Sequence, residues 1–338
     1  MTRTPAAYDR TMTGPQFLVT GAHGCIGAWV VHELVTDGHD VTTFDLSADP
    51  RRLRLLLDEP ALAAVTHVAG DIADLAGLES VLDEHAITNV IHLAALQVPF
   101  VRADPPLGAR VNVLGTVNVF EAVKRRSDQM APVVYASSIA AFDAPEEHVA
   151  PGMTGQPGTL YGVFKRANEL TASVYRQESG VSSIGLRPHT VYGLGRDQGL
   201  TSAPTTAMLA AAAGVTYRIP YGGAAQLQYA RDVARAFIAA SVSGYEGASV
   251  HNLPGPRVSI AEVVDAIAAA APESAGSIGF DDVSLPFPEE VDSGSFDEIA
   301  PGFTVTLLAD GVRATIDRFR TLLSEGLVAA PAPDPKAV

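Results

Sequence analysis

The feature that most constrains the fold is a run of spaced glycines between a short apolar segment and a helical pattern. Phe17–Thr20 is typical of a buried β-strand, and a helical pattern extends from Cys25 to Asp37. Glycines between them allow a sharp turn, close approach of the backbone to a pyrophosphate, and tight packing of helix on strand. A helix that begins there presents free amide groups to a phosphate. The glycines are Gly21, Gly24 and Gly27, and the other residues at the helix start are Cys25 and Ile26.

The first half of the chain repeats this alternation of short β-branched runs and helical segments. Such a series produces a parallel sheet with helices on both faces. Right-handed crossovers make the sheet doubly wound, with ligands at the carboxyl ends of the strands. We therefore predict an α/β fold with a doubly wound parallel (Rossmann) sheet. The further predicted strands are Val41–Asp45, Val65–Val68, Asn89–Leu93, Val133–Ser137 and Ser183–Leu186.

The second half changes character and predicts a smaller C-terminal substrate lobe. It is rich in Gly, Ala and Thr at first and later alternates a helix with acidic, Pro/Gly-punctuated loops. Ser259 and Glu262 form a predicted capping box at the start of that helix. The expected division is a flexible tail at 1–14, a dinucleotide-binding domain at 15–193 with 229–253, a substrate lobe at 194–228 with 254–328, and a disordered tail at 329–338.

Charge and cysteine content limit the partners. The formal net charge of −15 argues against binding to nucleic acid or to an anionic membrane. The densest basic cluster, Arg51, Arg52 and Arg54, is typical of a solvated helix face. The apolar runs are too short or too interrupted to predict a transmembrane span. Cys25 is the single cysteine and cannot form an intrachain disulfide. We expect a cytoplasmic protein without a metal ion.

An acidic residue at the end of the second predicted strand indicates which dinucleotide binds. Asp45 stands 18 residues beyond Gly27, where a carboxylate can accept hydrogen bonds from ribose hydroxyls. The same carboxylate would repel a 2′-phosphate, and the next residues, 46–48, supply no arginine to bind one. The predicted cofactor is therefore NAD.

A tyrosine and a lysine one helical turn apart indicate the chemistry. Tyr161 and Lys165 lie on one face of a predicted helix. An adjacent cation stabilises a phenolate, which lets a tyrosine exchange a proton with an alcohol as hydride moves to or from a nicotinamide. Ser138 ends a predicted strand 23 residues earlier, so its hydroxyl faces the cofactor cleft, although two serines after a strand are also a common turn.

Together these motifs resemble the extended short-chain dehydrogenase/reductase superfamily, in its NAD-dependent epimerase/dehydratase group. The resemblance covers about residues 15 to 270. Besides the glycine loop, it rests on His92–Ala95, Asn112–Asn118, Ser137–Ser138, Tyr161 with Lys165, and Arg187–Gly193, in that order.

The resemblance implies a role for each matching residue. Ser138 is expected to position the substrate oxygen, and Tyr161 to act as the acid/base. Lys165 is expected to lower the pKa of Tyr161 and to hold the nicotinamide ribose. Asn112 is expected to anchor a helix bend and a water. The implied cofactor contacts are Gly21, Gly24, Cys25, Ile26 and Gly27 in the loop, Asp45 and Leu46, Asp71 and Ile72 at the adenine, Leu93, Ala94 and Ala95 along the cofactor, Tyr161 and Lys165, and Pro188 and Val191 beside the nicotinamide.

Three departures from the group's sugar-nucleotide members narrow the substrate. No acidic pair directly follows Ser138, which disfavours dehydration. Ala225 occupies the position of an arginine that grips a diphosphate, and losing such a charge-assisted contact costs about 1.5–3 kcal/mol. His189 replaces a common asparagine. We therefore expect a substrate without a nucleotide, such as a sugar, a sugar acid or a hydroxy acid.

Candidate substrate residues follow from this reading. Arg196 and Arg231 could bind a carboxylate in bidentate fashion, although Arg231 could equally pair with a neighbouring acid. His189 could bind substrate or serve as a structural histidine. Gln97 and Ser137 complete the set.

Three functions fit these residues. The first is an NAD-dependent dehydrogenase that oxidises a secondary alcohol of a carbohydrate-like molecule. The second is an NAD-dependent sugar epimerase, which uses the same proton and hydride chemistry. The third, a non-catalytic dinucleotide sensor, is disfavoured because Tyr161 and Lys165 are both present. The resemblance also implies a homodimer built from helices near Leu107–Lys124 and Leu160–Arg176.

Overall fold

A seven-stranded parallel sheet forms the centre of the computed structural model, which describes residues 14–141, 157–285 and 287–332. Each strand is a short run of β-branched and aromatic residues, buried on both faces near the middle of the sheet. The main sheet contains β1 to β6 and β10, and the other described strands form two smaller sheets. The strands are β1 (Gln16–Thr20), β2 (Asp40–Asp45), β3 (Thr66–Ala69), β4 (Asn89–His92), β5 (Val133–Ala136), β6 (Ser183–Arg187), β7 (Thr190–Tyr192), β8 (Tyr217–Ile219), β9 (Ala224–Tyr229), β10 (Ala248–Asn252), β11 (Arg257–Ser259) and β12 (Ile278–Phe280).

The order of the strands places the ligand crevice. The sheet runs β10-β6-β5-β4-β1-β2-β3, and every neighbouring pair is parallel. The chain therefore moves outward from β1 to β3 and then returns to the other side of β1 with β4. Ligands of such sheets bind at the carboxyl ends of the strands where the order reverses. The doubly wound α/β fold predicted from the sequence is confirmed.

Helices cover both faces of this sheet. α1 packs against α10 on one face, and α4 packs against α7 on the other. The helices are α1 (Cys25–Thr36), α2 (Arg51–Arg54), α3 (Glu59–Ala63), α4 (Leu75–Glu84), α5 (Val98–Ala103), α6 (Pro105–Ala109), α7 (Gly115–Lys124), α8 (Leu160–Ser179), α9 (Ala203–Ala213), α10 (Ala230–Ser241), α11 (Ile260–Ala270) and α12 (Leu308–Ser324). None of these described helices is long and apolar enough to cross a membrane.

Two small sheets and three helices lie beyond the main sheet. β9 pairs with β7 and β11, β8 pairs with β12, and α12 packs against α9 and α11. The predicted capping box of α11 is present, because Glu262 N donates to Ser259 Oγ over 3.2 Å and Ser259 N donates to Glu262 Oε2 over 2.7 Å. One apolar cluster extends from the main sheet into this region. The proposed division into two lobes remains a prediction, and most of both predicted tails, 1–13 and 333–338, lies outside the described residues.

Candidate active site

The glycine loop after β1 forms a cradle that side chains would fill. Gly21 has φ +66°, and a Cβ there would lie 2.5 Å from the amide nitrogen of Ala94. A Cβ on Gly27 would collide with the carbonyl oxygen of Gly21. Gly24 is the N-cap of α1 and adds no side chain to the first turn. The first amides of α1 are thus open to a phosphate, as a dinucleotide site requires.

A cleft of about 520 Å³ opens above this cradle. The carboxylate of Asp45 lies in its wall and accepts hydrogen bonds from the amides of His23, over 2.9 Å, and Ser47, over 3.0 Å. The predicted residues that line the cleft are Gly21, Gly24, Cys25, Asp45, Leu46, Asp71, Ile72, Leu93, Ala94, Ala95, Gln97 and Arg196. Ile26, Gly27, Pro188 and Val191 are placed elsewhere: Gly27 is buried in α1, and Val191 belongs to the apolar core.

An arginine that the sequence analysis assigned to a solvated helix face belongs to this cleft. The side chain of Arg52 is only 14% exposed. It donates to the carbonyl of His23 over 2.9 Å and to Asp197 over 2.7 Å, so it joins the glycine loop to the segment after β7. Arg51 also lines the cleft and lies 3.8 Å from Asp197. The pairing with Asp197 is 145 positions away in sequence, and no local pattern signals it.

Asn112 organises the loop at the end of β4. It lies in a π-helical turn, Arg110–Leu114, which bends the chain between α6 and α7. Its amide donates to the carbonyl of Leu96 over 2.9 Å and accepts from the amide of Leu96 over 2.7 Å. Asn168 of α8 donates to the main-chain carbonyl of Asn112 over 2.8 Å. The asparagine therefore sits at a helix bend, the location that the resemblance implied.

The catalytic candidates meet where β5 ends against the first turns of α8. Thr159 caps α8, since its hydroxyl accepts from the amide of Gly162 over 3.1 Å. Ser138 hydrogen-bonds to Tyr161. The ammonium of Lys165 lies 5.5 Å from the centre of the Tyr161 ring and donates to the carbonyl of Ala136 over 2.6 Å. The structure thus brings the three predicted residues together.

The ionisation of this set is governed by burial. Burial raises the pKa of Tyr161, while the hydrogen bond with Ser138 and the positive charge of Arg196 oppose that rise. The sequence analysis expected Lys165 to lower this pKa, and that role stays a prediction; in the structure the ammonium donates to the carbonyl of Ala136. Burial also lowers the pKa of Lys165 to about 8, and Glu169 opposes that fall.

Ser137 does not face the cleft, contrary to its assignment as a substrate residue. Its side chain is buried, and its hydroxyl donates to Glu169 over 2.5 Å. Glu169 also forms a bidentate ion pair with Arg187, with both distances 2.6 Å. Sequence reasoning missed Glu169 and the role of Arg187, although Glu169 follows Lys165 by one further helical turn, a spacing that could have revealed it.

The remaining substrate candidates separate into one inside the cleft and two outside it. Arg196 lines the cleft and donates to Thr201 over 2.8 Å, while its Nε is buried without a hydrogen-bond partner in the described chain. Arg231 pairs with Glu33 of α1 over 2.9 Å and does not line the cleft, which favours the alternative of pairing with an acid. His189 contacts the ring of Phe287 and hydrogen-bonds to the carbonyl of Pro288 over 2.8 Å, which favours its structural alternative.

The position where nucleotide-sugar enzymes carry an arginine is closed. Ala225 is fully buried in the apolar core. It lies in β9, opposite Val258 of β11 in the antiparallel pair. A diphosphate would meet neither a cation nor open space there. Among the described residues, no group of three His, Cys, Asp or Glu side chains could hold a metal ion.

Comparison with known proteins identifies the family. The sequence model of the NAD dependent epimerase/dehydratase family matches residues 17–253. The chain belongs to this family. The cradle of glycines and the carboxylate of Asp45 fit its cofactor, NAD, and residues such as Gly24, Cys25 and Asp45 would hold it.

Named relatives are epimerases of nucleotide sugars. UDP-glucuronate 4-epimerase 2 of Arabidopsis thaliana is 35% identical over 194 residues, which are 56% of this chain and 44% of that protein. The alignment thus spans less than half of the plant protein. UDP-glucose 4-epimerase of Mycolicibacterium smegmatis is 30% identical over 90% of this chain and 98% of its own length.

Solved structures share the fold across most of the chain. UDP-glucose 4-epimerase of Thermus thermophilus, solved with NAD, superposes with a TM-score of 0.72 at 26% identity, over 90% of this chain and 99% of its own. L-threonine dehydrogenase of Clostridium difficile superposes with a TM-score of 0.76 at 20% identity, over 93% and 99%. At that identity the second likeness concerns the fold alone.

Proposed function

We propose that this protein is an NAD-dependent dehydrogenase that transfers hydride between NAD and a secondary alcohol of an acidic, carbohydrate-like substrate without a nucleotide. The observation that carries the proposal is the placement of the cations around the site. Arg196 lines the cleft with a free Nε, and its charge acts on Tyr161. Ala225, by contrast, is a buried core residue where a diphosphate would need an arginine.

The chain's own residues supply the proton chemistry. Ser138 holds the substrate hydroxyl beside the phenol of Tyr161. As the carbon–hydrogen bond breaks, Tyr161 accepts the hydroxyl proton in its phenolate form, or returns it when the carbonyl is reduced. Lys165 contributes positive charge behind the ring and holds the ribose. NAD, when bound, would supply the hydride acceptor, so that the electron pair and the proton would leave the alcohol by separate routes.

Arg196 supplies the recognition of a substrate carboxylate. Its guanidinium donates a hydrogen bond to Thr201. Arg196 and Gln97 line the same cleft. An arginine binds a carboxylate through two parallel hydrogen bonds. The free acid of a sugar acid or a hydroxy acid matches the guanidinium of Arg196, while Arg51 and Arg52, which also line the cleft, lie against Asp197.

The experiment that tests the proposal measures NADH formation with a panel of free sugars, uronates, aldonates and hydroxy acids. We expect turnover with an acidic compound and loss of turnover by about 10²- to 10⁴-fold in Tyr161→Phe. Tyr175→Phe is the matched control, since Tyr175 lies on the same helix and its hydroxyl donates to Glu121. Absence of NADH with every free compound would contradict the dehydrogenase.

The carboxylate site has its own test with the compound so identified. Arg196→Gln is expected to raise KM for the acid by about 10- to 100-fold, because a hydrogen bond to a charged group contributes about 1.5–3 kcal/mol. Arg231→Gln is the matched control and should leave KM unchanged, since Arg231 pairs with Glu33 outside the cleft. Equal effects of the two variants would contradict the assignment of Arg196.

A sugar epimerase is the second candidate, and the 30% identity to the M. smegmatis UDP-glucose 4-epimerase over almost its full length favours it. An epimerase returns the hydride to the same substrate, so it would retain NAD through purification and form no net NADH. Interconversion of UDP-sugars by the purified protein would establish this alternative and overturn our preference.

We also propose a homodimer that joins the outer faces of α6 to α8. Six large apolar side chains on these elements are solvent-exposed, and exposed apolar patches mark interaction sites. They are Leu107, Leu114, Leu160, Val163, Leu170 and Val174, with exposed fractions of 43–58%. A cytoplasmic location, expected from the single cysteine, belongs to the same proposal.

A further inference from the structure

One buried carboxylate on α8 connects this helix to the ends of two strands, β5 and β6. Glu169 lies on α8, two helical turns beyond Tyr161, and is 5% exposed. It accepts a hydrogen bond from Ser137, the residue directly before Ser138 at the end of β5. It also holds Arg187, the last residue of β6, through two bonds of 2.6 Å. Displacement of Glu169 would therefore remove its bonds to both strand ends and leave the bond from Lys165 to Ala136 as a link between α8 and β5.

The same carboxylate is the negative charge next to Lys165. Lys165 is 4% exposed and precedes Glu169 by one helical turn. Arg166 adds a partly exposed ion pair to Glu169 over 2.9 Å. Burial alone would raise the pKa of Glu169, but the bonds from Arg187, Ser137 and Arg166 hold it below its usual range. Glu169 is therefore ionised, and its charge is fixed close to the buried lysine.

We propose that Glu169 is a positioning residue of the reaction: it fixes Ser138 and the end of β6 relative to α8, and it keeps Lys165 charged. The proposal rests on the proposed function, because it assigns Glu169 to the proton chemistry of Tyr161. It makes Glu169 act through Ser137, Arg187 and Lys165, without contact with the substrate.

The direction of the effect on Lys165 follows from electrostatics. Burial lowers the pKa of Lys165 to about 8, and the carboxylate of Glu169 opposes this fall. Removal of that negative charge must lower the pKa further, so that Lys165 loses its proton near neutral pH. A neutral Lys165 no longer supplies positive charge behind Tyr161. As the pH rises, such a variant should therefore lose activity at a lower pH than the natural protein does.

Two further buried groups near this pair have pKa values that are shifted away from neutral pH. His92 of β4 is buried, and burial lowers its pKa to about 3. Tyr135 of β5 has a pKa raised by burial and by Glu169. The remaining charged or titratable neighbours are Arg187 on β6 and Arg166 and Tyr161 on α8. Lys165 is therefore the group whose charge Glu169 controls in this range.

The decisive experiment observes the lysines directly and needs no substrate. The chain has three lysines, Lys124, Lys165 and Lys336, so ¹³C-lysine labelling yields three side-chain signals that NMR can follow against pH. We expect Glu169→Gln to lower the pKa of Lys165 by about one unit or more. Glu121→Gln is the matched control, because Glu121 pairs with the exposed Lys124 over 3.4 Å and its removal should leave the Lys165 signal unchanged.

Further variants keep the proposal open to refutation if Glu169→Gln unfolds because the bidentate ion pair with Arg187 is lost. Glu169→Gln/Arg187→Gln removes both buried charges and should also lower the pKa of Lys165. Ser137→Ala keeps every charge, so it should reduce turnover without moving the lysine signal, and Ser137→Thr should restore turnover. An unchanged Lys165 titration in a folded Glu169 variant would overturn the proposal. Failure to find a substrate would instead count against the proposed function and leave the lysine result intact.

Discussion

The two faces of α8 reverse the distribution of residues that is usual for a helix on a sheet. The inner face buries Lys165, Asn168 and Glu169, whereas the outer face exposes four aliphatic side chains. Lysine and glutamate are almost never fully buried unless they are paired. The exposed side chains are Leu160, Val163, Leu170 and Val174.

The charged inner face and the apolar outer face of α8 both indicate a role other than the stability of a single chain. Burying paired charges rarely adds stability compared with apolar residues of the same volume. The proposed proton transfer at Tyr161 would explain the charges of the inner face. The apolar outer face costs solubility unless a second surface covers it. One helix would then carry both the catalytic pair and the dimer contact.

Among substitutions on the inner face, we expect the largest loss of turnover at Lys165. Lys165→Met keeps the length of the side chain but removes the positive charge behind Tyr161. We expect turnover to fall by about 10²- to 10⁴-fold, the usual contribution of general acid–base catalysis. Steady-state kinetics with the substrate found in the panel would measure it. Lys124→Met removes an exposed lysine on α7 and should change turnover little; similar losses in both variants would refute a special role for the inner face.

The outer face is tested by adding charge where the proposed partner chain packs. Leu170→Lys/Val174→Lys should raise the dissociation constant of the dimer by about 100-fold, since unpaired charges would be buried at the interface. Sedimentation velocity over a range of concentrations would measure the shift. Val242→Lys/Leu327→Lys is a control pair of similar exposure away from α8, and it should leave association unchanged. If the natural protein sediments as a monomer at every concentration, the proposed dimer interface is refuted.

The contact between α8 and the turn after β5 offers a smaller perturbation of the inner face. A Cβ on Gly162 would collide with the carbonyl oxygen of Ala140, two residues after Ser138. Gly162→Ala should therefore separate Tyr161 from Ser138 and reduce turnover by about 10-fold, because catalysis depends on sub-ångström geometry. Val163→Ala changes the exposed neighbour and serves as the control in the same assay. Full activity of the Gly162 variant would show that the turn adapts.

Local sequence patterns predicted most of the dinucleotide half of the site. The glycine spacing, Asp45 and the pairing of Tyr161 with Lys165 are each read within one or two adjacent elements. Their chemistry depends on neighbours along the chain, and the structure places the glycines and Asp45 at one cleft and the ammonium of Lys165 beside the ring of Tyr161. The bounds of β1 and α1 differ from the prediction by one residue.

Contacts between distant segments could not be predicted in the same way. Arg231 meets Glu33 across 198 positions, and Arg52 meets Asp197 across 145. An arginine has the same local signature whether it binds substrate, closes a cleft or pairs on the surface. Only the packing of helices and loops decides among these roles, so the sequence left Arg231 between two roles and favoured a solvated helix face for Arg52.

The smallest expected effect concerns the free energy of unfolding. It can be measured without any substrate. Burial lowers the pKa of Lys165 from 10.5 to about 8, so the folded state disfavours the charged lysine. We expect Lys165→Met to raise the free energy of unfolding near pH 7 by about 1–3 kcal/mol, after allowance for the lost hydrogen bond to Ala136. Lys124→Met should have almost no effect, because exposed ion pairs contribute little.

The pH dependence of this gain shows whether Lys165 causes it. Between pH 8 and 10.5 the unfolded chain keeps its proton on Lys165 while the folded chain loses it. The natural protein therefore gains stability, relative to the variant, as pH rises through this window, by up to about 1.4 kcal/mol per pH unit. The advantage of the methionine variant should be largest below pH 8 and should disappear above 10.5. Urea denaturation of both proteins at several pH values would measure it. If the difference in the free energy of unfolding between the two proteins is the same at every pH, burial does not destabilise the charged form of Lys165. The inner face would then need no catalytic explanation.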